Sequence, residues 1–310
     1  MNLSEALGVR YVKLHFVLEM IEDGSLPVSK ESAIRGGIGE MLLRANCLKD
    51  DRNCEVCEFE AECMVQRTMY SKFDMKPAFM TSGDSVGYVI ECEDYRKYFC
   101  AGDRLRCNLL LFGKNIAYMI QYVQAMMELG ENGLGAGHVR FRVKEIRTNK
   151  KQVLYDGTKL DRSACQFETI LDYVNQRSVQ LNESTLQNVI TFHTPLTQKY
   201  QHCFLQEFQM EAITKSIQRR LYILNCFEGV DIEEFYRSEF QVPEIKAQEV
   251  KEVKVKRYSN RQQSSMFLKG IKGRIELEPV SEELLPLLLA GELIHIGKNT
   301  SFGFGRYTIQ

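Results

Sequence analysis

Across 310 residues the formal charge sums to only −1. A basic field over the whole molecule is therefore excluded, and a polyanionic partner has to be met by a local patch. Apolar runs of membrane-spanning length are missing as well, and the opening MNLSEALGVR has neither the basic start nor the apolar centre of a secretory leader. The expectation is a cytoplasmic protein with no membrane partner. A helix is also lacking after the last glycine-rich segment, residues 291–307, because only three residues follow it. That removes the Rossmann and Walker readings, both of which need a helix to open directly from the glycines.

What is present is the composition of a soluble globular chain, 44% hydrophobic and 26% charged, long enough for two medium domains. Residues 11–21 alternate Val12, Leu14, Phe16 and Leu18 against Tyr11, Lys13 and His15, which predicts a strand. Pro27 and Ser29 mark a helix start, and Ile34, Ile38, Leu42 and Ala45 keep helical spacing. Gly36, Gly37 and Gly39 lie inside that helix at a cost of about 1 kcal/mol each, so a close approach by another group is expected. Strand-like runs follow at 86–92 and 104–112. A helix through Ile116, Ile120, Val123 and Met127 is closed by Gly130, and after Gly135 and Gly137 a strand carries Arg140 and Arg142 away.

Residues 148–187 are polar, with one amphipathic piece at 167–174. The order then repeats: a strand at 189–195, a helix through Ile213, Ile217, Leu221 and Leu224, two strands, a short helix at 282–289, and a final strand pair opened by Leu293, Ile294 and Ile296. Strand, helix, strand, strand, helix, strand, twice over, is an α+β chain of two tandem ferredoxin-like domains. The boundaries fall at 1–148, 149–187 for the connection, and 188–310.

Three stretches carry chemistry. GELIHIGKNTSFGFGRY, at 291–307, sets Gly297, Gly303 and Gly305 around Thr300 and Ser301, with His295, Lys298 and Arg306 alongside. Glycines let a loop wrap an anion with backbone N–H groups, and an imidazole titrates near neutrality. Residues 245–274 hold nine Lys and Arg, Arg257, Arg261, Lys269 and Lys272 among them, against two Glu. Such a hairpin, with Tyr258 and Phe267 interleaved, suits a phosphate backbone and unpaired bases. Finally, Cys47, Cys54, Cys57 and Cys63 are spaced C-x6-C-x2-C-x5-C within an insert after the first helix. Four thiolates at that separation suit a structural zinc, with an iron–sulfur cluster as the alternative. The other six of the ten cysteines have no ligand rhythm and read as free thiols of a reducing compartment.

The glycine-rich stretch resembles the C-terminal loop of the CRISPR-associated RAMP proteins, and within them the Cas-six endoribonucleases that cut precursor CRISPR RNA in its repeats. His295 stands before Gly297-Lys298, Thr300 and Phe302-Gly303-Phe304-Gly305 as in one branch of that family, and Arg35-Gly36 with Gly39 resembles the opening of its first helix. The resemblance implies RAMP/RRM-like domains and a zinc-stapled cysteine insert. It also implies metal-independent cleavage by 2′-hydroxyl attack, giving 5′-hydroxyl and 2′,3′-cyclic phosphate ends. His295 and Lys298 are then the expected catalytic pair, and Arg35, Arg257, Arg261, Lys269, Lys272, Gly297, Thr300, Ser301, Gly303, Gly305 and Arg306 the expected RNA contacts. Expected partners are CRISPR repeat RNA and other CRISPR-associated proteins, with a monomer or homodimer equally compatible. One departure stands out: residues 31–45 contain no histidine, which leaves the second acid or base among Tyr11, His15, Lys30 and Arg35, with His138 on the first glycine loop as a secondary candidate. The competing reading is a RAMP subunit that holds RNA in an interference complex without cutting it.

Overall fold

A computed structural model describes residues 3–49, 54–72, 74–80, 86–182, 188–259 and 264–310. Strand β1 (Arg10–Met20) buries Val12, Leu14, Phe16, Leu18 and Met20 on one face and leaves Lys13, His15, Val17 and Glu19 half-exposed on the other, the period of two that its sequence dictates. Helix α1 (Glu31–Asn46) buries Ile34, Ile38, Met41 and Leu42. Strands β2 (Tyr88–Glu91) and β3 (Arg104–Phe112), helix α2 (Met119–Asn132) and strand β4 (Phe141–Thr148) complete the first unit. A Cβ on Gly37 would lie 2.4 Å from the Leu129 side chain, so this glycine permits the close packing of α1 on α2. Gly130, expected to end α2, is inside it; Gly133, at φ 89°, caps it instead.

The segment between the halves is more structured than its polarity suggests. Strand β5 (Val153–Tyr155) extends the sheet beyond β4, and β6 (Glu168–Thr169) pairs with Arg10 and Tyr11. The expected amphipathic piece grows into α3 (Ile170–Asn182), from which Tyr173 and Arg177 reach Glu292 in the second half. The second unit is β7 (Val189–Phe192), α4 (Met210–Glu228), β8 (Ile245–Ser259), β9 (Ser264–Leu277), α5 (Leu285–Ile294) and β10 (Tyr307–Ile309). The two larger antiparallel sheets among the described residues run β2-β3-β1-β4-β5 and β8-β9-β7-β10, so the four principal strands of each half have the same ferredoxin-like order.

Leu293, Ile294 and Ile296 do not open a strand. The run Leu-Pro-Leu-Leu-Leu-Ala, with Pro286 in the first turn, forms a helix apolar on all sides, which is therefore buried, and Leu293 and Ile294 are its last residues. One hydrophobic cluster joins Val86, Val89, Leu110 and Phe112 of the first half to Ile213, Ile217 and Leu221 of the second, so the halves share a core. No described helix is long and apolar enough to cross a membrane.

Candidate nucleic-acid interface

The C-terminal glycine loop is packed between the halves. His295 follows α5 at φ 56°, ψ 156°, a backbone region nearly reserved for glycine, and is fully buried. Its Nδ1 lies 3.1 Å from the Phe304 carbonyl and its Nε2 3.1 Å from Glu91 Oε1 at the end of β2. Burial pulls the imidazole below its ordinary range, against the opposing effect of Glu91. Burial would also raise the Glu91 carboxyl, but Lys13, His295 and Arg306 outweigh it and hold Glu91 well below the usual carboxylate range. Lys13 Nζ is 2.7 Å from Glu91, and Arg306 pairs with Glu93.

Four of the loop's amides are also committed. Gly297 donates to Ser216 Oγ, Lys298 to the Thr197 carbonyl, Gly303 to Thr300 and Gly305 to Pro195. Thr300 and Ser301 are buried, and a Cβ on Gly303 (φ 76°) would meet the Ile90 carbonyl at 2.7 Å. The N–H groups of the three glycines expected to cradle a phosphate are thus used inside the protein, and this part of the loop acts as a buttress. His295 is likewise fully buried. Lys298 is exposed but turns to Phe204, 5.6 Å from its ring, and Arg306 lines a small interdomain cavity of about 250 Å³. That cavity also takes in Tyr11, Lys13 and His15, yet its carboxylates Glu91, Glu168 and Glu292 are satisfied by neighbouring side chains. Lys30 is excluded as a proton shuttle, being fully buried with Nζ on the carbonyls of Asp94 (2.6 Å) and Arg96 (2.8 Å).

A second opening is larger. A cleft of about 1220 Å³ runs between α1, the first glycine loop and β8, lined by Ser29, Ser32, Arg35, Arg44, Tyr70, Gly135, His138, Lys256 and Arg257. It exceeds the roughly 300–1,000 Å³ of small-molecule sites. Phe302 of the C-terminal loop carries both Arg35 and Arg257, whose guanidinium carbons lie 4.6 and 4.2 Å from its ring centroid. Arg257 Nε is buried with no hydrogen-bond partner among the described residues, and burial, then Arg35, lowers its affinity for its proton. Beyond the cleft, β8 and β9 set Lys254 directly opposite Lys269 and Lys251 opposite Lys272, like charges on paired positions that are normally avoided. Phe267 beside them is 60% exposed. Arg261 lies outside the described residues.

A family model for CRISPR-associated endoribonuclease Cas6 matches residues 190–307, and a model for the AF_1859 N-terminal domain matches residues 9–169. The second half of the chain, residues 190–307, is thus similar to the Cas6 family of CRISPR-associated endoribonucleases. An uncharacterised protein of Archaeoglobus fulgidus is 22% identical over 92% of this chain and 93% of its own length. Among solved structures, a Cas6 (TTHB231) product complex superposes with TM-score 0.54 at 13% identity, over 98% of this chain and all of that one. A partial Cas6-RT-Cas1–Cas2 complex gives TM-score 0.59 at 12% identity, covering 97% of this chain, which spans only 46% of that larger one.

Within this Cas6 fold the sequence-expected residues separate into two groups. Arg35 and Arg257 meet in the cleft, while His295, Thr300, Ser301 and Gly303 are sealed behind it. Phe302, Arg44 and Tyr70 were missed, while Lys256 was included only as one of the nine basic residues of the hairpin; the position of Phe302 between the loop glycines could have marked it. The four insert cysteines are neighbours, since Cys54 is pushed up by burial and then by the charges of Cys63, Cys47 and Cys57. Among the described residues no three such donors stand in ligating positions. The donor set is chemically right for zinc, and Cys54 also lines the cleft.

Proposed function

We propose that the cleft between α1, the first glycine loop and β8 binds CRISPR repeat RNA, with the lysine-bearing β8–β9 hairpin tracking its backbone, and that the bound strand is cut there without a catalytic metal. The observation that carries this is the pair of guanidiniums from opposite halves held on Phe302, one with an unspent buried donor, at the centre of an open cleft. In the reaction the 2′-oxygen attacks its own phosphorus and the P–O5′ bond breaks. One proton leaves the 2′-hydroxyl, one joins the 5′ oxygen, and Arg35 and Arg257 neutralise the crowded phosphorane. His138, exposed on the first loop at φ 47°, is the imidazole that lines this cleft and takes the proton-transfer role that His295 cannot fill. Zinc bound by Cys47, Cys54, Cys57 and Cys63 would brace the wall near α1. The work is done in the cytoplasm.

The test is incubation with repeat RNA in EDTA, followed by mapping of the ends. A single discrete cut is expected, leaving an upstream fragment with a 2′,3′-cyclic phosphate and a downstream fragment with a 5′-hydroxyl, and it is lost in His138→Ala while binding persists. The sealed His295 and the absence of histidine from α1 favour a second reading, an RNA-holding subunit that does not cut. It predicts tight, salt-sensitive binding and no product.

A further inference from the structure

The strained, buried His295 needs a reason beyond filling space. Its backbone occupies a conformation that is strained for a residue with a Cβ, and its ring nitrogens face two acceptors, one within its own loop and one across the boundary between the halves. The Phe304 carbonyl inside the loop is one acceptor and Glu91 on β2 the other; a neutral ring donates its single N–H to one of them and an imidazolium to both, and Glu91 is itself fixed by Lys13 and by Asn108 Nδ2 at 2.8 Å. Phe302, which supports Arg35 and Arg257, lies two residues from that carbonyl.

We infer that His295 is a positioning residue of the RNA site: by tying the glycine loop to β2 it fixes Phe302, and through Phe302 the spacing of Arg35 and Arg257 that a phosphate meets. It touches neither RNA nor the reacting atoms. The inference rests on the RNA-cleft reading, and it assigns His295 a different role from the catalytic one its motif suggested. It also explains the committed amides, since a loop serving as a rigid mount uses its donors internally.

The experiment uses the full chain with His295→Gln, which can still donate to Glu91, His295→Ala, Arg257→Ala and the His295→Ala/Arg257→Ala pair. Affinity for repeat RNA is measured across a salt series, with thermal melting alongside. His295→Ala is expected to weaken binding about tenfold and to flatten the salt dependence, His295→Gln to recover most of both, and the double variant to lose little more than Arg257→Ala alone. Where His295→Ala melts below the assay temperature, His295→Gln and Glu91→Gln carry the comparison. Glu91→Gln, which keeps the shape of its side chain and removes its charge, is expected to fall between wild type and His295→Ala. Unchanged affinity and salt slope in folded His295→Ala, or full additivity with Arg257→Ala, would overturn the inference. If the wild-type chain itself bound no repeat RNA, the RNA-cleft reading would fail instead, a result the wild-type arm shows separately.

Discussion

Replacing Arg257 by alanine separates a binding role from a structural one, because the two predict opposite balances of stability and affinity. In the free protein Arg257 gains a cation–π contact with Phe302, worth about 1 kcal/mol. It pays for this beside Arg35: with both guanidiniums within 5 Å of one ring centroid, their carbons are no more than about 9 Å apart. At that widest separation and an effective dielectric of about 20 the repulsion is about 2 kcal/mol, and salt screening reduces it to about 1. The two effects cancel to within about 1 kcal/mol, so Arg257→Ala should move the melting temperature by no more than about 4 °C. RNA binding has no such compensation. Loss of one charge-assisted contact of about 1.5–3 kcal/mol predicts about ten- to hundredfold weaker binding, with the slope of log K against log salt smaller by about 0.7 for a single strand. Fluorescence anisotropy with labelled repeat RNA at several salt concentrations, beside a melting curve, reads both quantities. Unaltered affinity and slope, or a melting temperature lowered by roughly 10 °C or more, would refute the reasoning.

Acidity offers an independent check on the buried cluster. Burial lowers the folded-state proton affinity of His295, faced by Glu91, Arg306 and Lys13, and burial likewise lowers that of His15 and His193. The unfolded chain therefore takes up these protons first, and the melting temperature should drop as pH falls through about 6.5, less steeply in His295→Gln; equal slopes would contradict this. Glu91, held low, adds a further loss only below its ordinary range, about pH 4.3. For the insert, elemental analysis of the purified chain should find about one zinc per chain, reduced in Cys54→Ser, and chelation in the assay should leave cleavage of RNA intact. Absence of metal from protein prepared with zinc present would remove that proposal.

Much of the architecture was legible because it is local. The alternation of β1 and the apolar face of α4 are written within a few residues, and the repeated order of elements follows from them. The α5 boundary was misread because an all-apolar stretch has the same composition in a buried strand and a buried helix. The site was less legible because its meaning depends on distant partners. His295 is decided by Glu91, 204 residues away, and the loop amides by Pro195, Thr197 and Ser216. Sequence marked the glycine loop as the place of interest, but not the direction it faces: its buried side fastens the halves together, and Phe302 carries its influence into the cleft through two arginines. His138 drew attention on its own loop, and only the fold placed it in the same cleft as Arg35 and Arg257.

The central claim, that RNA lies in the cleft between α1, the first glycine loop and β8, is tested most directly by photo-crosslinking bound repeat RNA and identifying the modified peptides. The account predicts crosslinks on peptides containing Arg35, Tyr70, His138 and Arg257, with more along the β8–β9 hairpin near Phe267. Crosslinks confined to α3 and the exposed side of α4, with the cleft peptides unmodified, would contradict it.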